Sequence, residues 1–168
     1  SLGMSAANFA WAQMVHGLKI GAPVWGWSAC VAPNGKYLGM NMLIDDVVTP
    51  HASALAVSLF PREVVDNLRR LETYGLRAPC RVDGADEAFG FRDSVNWRTG
   101  QIADKYLVLD QAMLFLSLVN YCYRGLLWRT FAADPMVANG RNLIAEYRAA
   151  PKKRAEQHAY IRALSWPE

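Results

Sequence analysis

Trp25-Gly26-Trp27 places two indoles on either side of a glycine. An indole offers an apolar plane to the C–H face of a sugar ring, and its N–H can bind a hydroxyl. The glycine permits close approach of the backbone. The other reading puts both tryptophans in the core. Asp45-Asp46 stand just before Thr49-Pro50, where a helix is expected to start. They either complement the positive end of that helix or face a ligand. Asp93 follows a Phe-Gly-Phe turn at 89–91, and Asp110 falls in the first turn of the most apolar expected helix. Such a carboxylate is either a charge partner for the helix start or a group aimed into a site. Among apolar neighbours its pKa would rise, which suits a general acid. His51 follows Pro50 beside a helix N-terminus, where a lone histidine is more often structural than catalytic.

These residues need elements to hold them. The apolar spacing predicts a helix over Met4 to Leu18, with Ser5 near its start. Gly21 to Met42 reads as a long structured loop carrying Trp25, Trp27 and Tyr37, with a short hairpin at Pro33-Asn34-Gly35. Thr49 as N-cap and Pro50 at the first helical position predict a helix to about Leu59. Pro61 opens another through Tyr74, closed by Gly75, with the apolar stripe Val64, Val65, Leu68 and Leu71. Leu76 to Lys105 is a second long irregular region. Tyr106 to Tyr123 should be a helix buried on most sides, followed by helices at Leu126 to Ala133 and from Asp134-Pro135. A basic amphipathic helix is expected over Lys152 to Leu164. No period-two pattern is long enough to build a sheet, so the class is mainly α.

Composition narrows the function. The 168 residues are 52% hydrophobic and 20% charged, as in a folded domain with a sizeable core. Lys and Arg number 18 against 15 Asp and Glu, a net charge of +3 that gives no footprint for nucleic acid. Six tryptophans are a high count and the first hint of ligand contact. Cys30, Cys80 and Cys122 form no CxxC pair and read as small buried hydrophobes. There is no HExxH, GxSxG, Walker or GxGxxG motif, so no metal or cofactor is expected. Leu107 to Val119 is interrupted by polar residues and too short to span a membrane. No basic region followed by an apolar run opens the chain.

Five stretches in order carry a resemblance. They are Trp25-Gly26-Trp27-Ser28-Ala29, Asp45 to Ala52, Phe89 to Val95, Tyr106 to Ala112, and Asn120-Tyr121 through Trp128. Together they resemble the C-terminal half of the glucoamylase-like family of bacterial glycoside hydrolases, which includes endo-β-1,2-glucanases. The chain departs from the family pattern at several places. Ala112 replaces a glycine, Val119 a glutamate, Asp46 a glycine and His51 a threonine; one residue is added before Gly125; and Cys30-Val31-Ala32 replace an acidic loop.

The resemblance implies an (α/α)6 toroid, two concentric rings of six helices with the glycan held at one end. Twelve helices of about 11 residues joined by about 5-residue loops need about 190 residues before long loops are added. The chain therefore reads as about half of such a toroid, helical hairpins with two long loops. It forms a single domain or a domain fragment, with a homodimer or a separate N-terminal half completing the ring. The implied function is hydrolysis of a glucose polymer such as a β-1,2-glucan. Asp93 and Asp110 are the candidate catalytic or sugar-contacting carboxylates, with a further acid expected from the other half. Trp25, Trp27, Tyr37 and Phe91 would form a stacking surface, joined by Asp45, His51 and Gln111 as substrate contacts. At least one of Trp25 and Trp27 is expected to line a concavity with Phe91 or His51. The ligand would be a glucan or oligosaccharide, with no nucleic acid or membrane partner, in the periplasm or outside the cell. The alternatives are a carbohydrate-binding or scaffold module that has lost its chemistry, and a helical interaction domain.

Overall fold

The structure is a computed structural model that describes residues 6–143, other than 41, 83, 84 and 88. The expected basic helix over Lys152 to Leu164 lies outside the described residues. The chain divides into two compact units, Ser1–Gly125 and Leu126–Glu168.

In the first unit, helix α1 is described over Ala6–Ile20 and ends two residues later than its apolar spacing suggests. Its buried face is Ala10, Gln13, Met14 and Gly17, the spacing of one side of a helix. Strands β1 (Cys30–Val31) and β2 (Tyr37–Leu38) pair antiparallel around the Pro33-Asn34-Gly35 turn, where Gly35 takes a φ of +80°. After β3 (Val47–Val48) comes α2 (Pro50–Ala54), five residues long; the stretch to Leu59 continues as turns instead of helix. Next is α3 (Pro61–Thr73), whose buried residues are Val64, Asn67 and Leu71. Val65, assigned to the apolar stripe, is exposed; the stripe runs 64, 67, 68, 71, and its polar member is a buried asparagine.

The second irregular region holds β4 (Cys80–Val82) paired antiparallel with β5 (Ala85–Glu87), and then β6 (Val95–Asn96). Strand β6 pairs antiparallel with β3, joining Val48 to Val95. This two-residue ladder is the device that positions the site. It sets the chain just after β3 beside the chain just before β6, although the two are far apart in sequence. Helix α4 (Val108–Cys122) packs on α2, which also packs on α3.

Helix α4 corrects one expectation. Among its residues only Asp110 and Asn120 are buried, while Val108, Leu109, Phe115 and Leu116 are exposed. The packing of α2 covers one side of the helix, and apolar composition alone does not supply a second neighbour. Cys30 is buried as expected but Cys122 is exposed; the side chain of Cys80 lies outside the described set.

In the second unit, α5 (Leu126–Ala133) and α6 (Pro135–Leu143) pack on each other. Asp134 caps α6 as its sequence implies: its Oδ1 accepts the amides of Met136 at 2.8 Å and Val137 at 3.3 Å.

Candidate functional site

The chain approaches the site through Gly26, whose φ of +128° is a region that side chains rarely adopt. The Thr49 amide donates to its carbonyl at 2.8 Å, and a Cβ on Gly26 would lie 2.7 Å from the Thr49 carbonyl oxygen. The glycine of Trp-Gly-Trp thus lets one backbone pass tightly over another. The tryptophans serve the core. Trp25 and Trp27 are 7% and 6% exposed and belong to the main hydrophobic cluster.

Each tryptophan's peptide is clamped by a buried amide side chain. The Trp25 amide donates to Asn67 Oδ1 at 2.9 Å, and Asn67 Nδ2 donates back to the Trp25 carbonyl at 2.7 Å. The Trp27 amide donates to Gln13 Oε1 at 2.8 Å, and Gln13 Nε2 returns to the Trp27 carbonyl at 2.9 Å. These pairings imitate a strand ladder where no strand is available. Neither indole lines the pocket described below, so the expected sugar platform of Trp25 and Trp27 is corrected: both are structural.

Two further expectations are corrected by position. Tyr37 projects from β2, 62% exposed and outside the pocket. The exposed Asp45 carboxylate lies outside this pocket and pairs with His16 Nε2 at 2.8 Å. Its carbonyl accepts the indole N–H groups of Trp27 at 3.1 Å and Trp97 at 2.8 Å. Asp46 likewise pairs with Arg98 at 2.6 Å.

The remaining five candidates come together. Phe91, Asp93, Asp110, His51 and Gln111 line one pocket with Thr49, Pro50, Arg92 and Leu114. Its interior is about 10 Å³, room for about one water molecule. The ladder of β3 with β6 delivers His51 and Asp93, and α4 delivers Asp110 and Gln111. Asp93 is held on both sides. Its amide donates to the Lys105 carbonyl at 2.9 Å, and its Oδ2 accepts the Val31 amide from β1. Gln111 Nε2 donates to the Phe91 carbonyl. Gly90 makes room, since a Cβ there would lie 2.9 Å from Gln111 Oε1.

His51 Nδ1 lies 2.7 Å from Thr49 Oγ1 and 3.3 Å from Asp110 Oδ2. Thr49, expected to cap α2, makes no side-chain cap bond and spends its hydroxyl on the imidazole. Burial lowers the His51 pKa, against the opposing pull of Asp93, which favours the neutral ring. Burial first, then a hydrogen bond and like charge from Asp93, pushes Asp110 from 3.8 up to about 7. Cys30 is pushed up to about 12 by burial and by Asp93, so it stays a thiol and is no nucleophile at neutral pH. Among the described residues no group of three or more His, Cys, Asp or Glu could hold a metal ion.

Sequence reasoning missed Arg92 and Leu114 as pocket residues and saw Thr49 only as a cap. Arg92 had a signal, since it lies between Phe91 and Asp93. Leu114 had one too: it is four residues after Asp110 on the same helix face.

A family profile described as "Putative glucoamylase" matches residues 4–135. The chain belongs to this family. Solved structures agree on the fold. A putative glucoamylase from Bacteroides caccae superposes with a TM-score of 0.67 at 22% identity, covering 81% of this chain and 33% of that one. An endo-β-1,2-glucanase from Chitinophaga pinensis gives 0.66 at 20% identity with the same coverage. The chain thus spans about a third of the length of these structures. Two curated proteins also match. Cyclic β-(1,2)-glucan synthase NdvB of Rhizobium meliloti is 25% identical over 159 residues, 80% of this chain and 5% of that protein. RNA polymerase III subunit rpc1 of Dictyostelium discoideum is 27% identical over 124 residues, 61% of this chain and 8% of that protein.

Proposed function

We propose that this glucoamylase-family chain forms part of an (α/α)6 toroid that binds and hydrolyses a glucose polymer, with a β-1,2-glucan as the first candidate. The single observation that carries the reading is the meeting of Asp93, Asp110, His51 and Gln111 at one pocket, from three of the family's motifs. The printed names of an endo-β-1,2-glucanase and a cyclic β-(1,2)-glucan synthase among the similar proteins support the linkage.

The coupling of Asp93 with Asp110 bears on the role of this pair. Glycoside hydrolysis sets its two carboxyl groups about 5–5.5 Å apart for retention or about 6.5–9.5 Å apart for inversion. Asp93 raises the pKa of Asp110, so the two behave as one coupled pair and not as two independent acids. Asp93 and Asp110 together supply one catalytic group. Asp110, protonated or not near neutral pH, is the member that meets the substrate, and Asp93 tunes it. The second acid comes from protein that completes the ring, either the rest of a longer chain or a second copy in a homodimer.

Reducing-sugar release from a panel of linear glucans tests this. Release from β-1,2-glucan above the others is the expected result. Binding without turnover points to the second reading, a carbohydrate-binding module without hydrolytic chemistry, which the departures at Val119 and Cys30-Val31-Ala32 favour. No binding to any glucan contradicts both. A periplasmic or extracellular location, as in the family, goes with either reading, and cell fractionation checks it.

A further inference from the structure

Where α2 packs on α4, His51 Nδ1 lies 3.3 Å from Asp110 Oδ2. The two side chains are 2% and 9% exposed, so water screens this contact little. The same nitrogen lies 2.7 Å from Thr49 Oγ1. Burial lowers the His51 pKa, so at neutral pH the ring is uncharged and carries one N–H.

Two nitrogens compete for that proton. On Nε2 it would leave the Nδ1 lone pair facing an oxygen of ionised Asp110, which can only accept. On Nδ1 it faces two oxygens that accept, Thr49 Oγ1 and Asp110 Oδ2. Ionised Asp110 therefore selects the Nδ1–H tautomer. The Thr49 hydroxyl holds the ring, and it is free to do so because it makes no cap bond to α2. Burial and Asp93 both push Asp110 toward the neutral acid. An N–H beside Oδ2 works in the opposite direction, because it stabilises the ionised form. The other titratable or charged groups here are Asp93 and Arg92, which line the same pocket, and Cys30 of β1, which feels both carboxyl groups.

We propose that His51 is a positioning residue for Asp110: its neutral imidazole, held by Thr49, turns Nδ1–H toward Asp110 Oδ2 and stabilises the ionised carboxylate in one orientation. His51 acts through Asp110 and not on the substrate. The use of that carboxylate on a sugar rests on the glucan reading; the pairing itself does not.

Nuclear magnetic resonance of the 168-residue chain tests the pairing without any glucan, with histidine labelled in nitrogen and aspartate in the carboxyl carbon. The Asp110 signal is identified by its loss in Asp110→Asn. Above the Asp110 titration, the His51 ring should show a protonated Nδ1 and a bare Nε2. A proton on Nε2, whether or not Nδ1 also carries one, overturns the proposal. His51→Phe keeps a ring and removes the donor, so the Asp110 midpoint should rise by about one pH unit. His51→Asn returns an N–H near the place of Nδ1 and should bring the midpoint back toward the wild-type value. A midpoint unmoved in His51→Phe, or raised equally in both variants, overturns the proposal, since a merely structural histidine would not be rescued by the amide. If His51→Phe does not fold, the wild-type ring spectrum still decides. Failure of the chain to bind glucans removes the functional reading and leaves these spectra standing, so the two can be told apart.

Discussion

At the residue scale, the protonation of Asp110 links the pocket to stability. Its folded-state pKa of about 7 lies above the ordinary 3.8, so the folded chain holds this proton more tightly than the unfolded one. That contribution is complete below about 3.8 and is lost as the pH rises through about 7. His51, shifted down, works the other way: its contribution is present above the ordinary histidine value of 6.5 and fades as the pH falls below it. Asp110→Asn separates the two. The asparagine copies the neutral acid, so the variant's melting temperature minus that of the wild type should rise between about pH 4 and 7 and then level off. Calorimetry at five pH values checks this, and a flat difference contradicts it. The position of Asp110 in the first turn of an apolar helix was legible in the sequence, as were the turn before Asp93 and the helix start beside His51. Their convergence was not, because it depends on a two-residue strand pair between Val47–Val48 and Val95–Asn96. No periodicity shows in so short a run.

Elements here are fixed by a few polar clamps and close backbone passages, which are harder to read than apolar stripes. Trp25 and Trp27 looked like a ligand surface because they sit in a glycine-containing loop. They are core because Asn67 and Gln13 satisfy their peptides from neighbouring helices. The spacing held the signal: Gln13 and Asn67 each occupy the polar place in an otherwise apolar helical stripe. Asn67→Ala should cost about 2–4 kcal/mol, since it leaves the Trp25 amide and carbonyl buried without partners. Urea denaturation measures it, and a loss below about 0.5 kcal/mol would show that the clamp is not needed. Gly26→Ala should also destabilise by about 2 kcal/mol or more, through positive φ and the overlap with the Thr49 carbonyl. Its effect should reach the site as a shifted His51 NMR signal, because the displaced backbone leads directly into Thr49 and His51. An unchanged His51 signal would separate the Trp-Gly-Trp loop from the site.

At the scale of the whole molecule, the described residues leave one apolar face of α4 exposed. Val108, Ala112, Phe115 and Val119 follow the spacing of one face of α4, and Val108 and Phe115 are 84% and 63% exposed. Isolated soluble proteins rarely expose large contiguous apolar patches. A helical class with long loops was legible from capping residues and apolar spacing, and the length arithmetic pointed to part of a ring. Which faces pack could not be read, because an apolar helix announces that it is to be covered without saying by what. Light scattering at micromolar concentration should find a dimer if a second copy covers this face; a clean monomer rules that out. The most direct test of the central claim, that Asp110 contacts a bound glucan, is calorimetric titration of linear β-1,2-glucan into the wild type and Asp110→Asn. Wild-type binding that weakens at least tenfold in the variant, with melting temperatures at pH 5 within about 2 °C of each other, is the expected result. Equal binding by both proteins, or a drop of several degrees with binding intact, would make Asp110 a structural residue and contradict the claim.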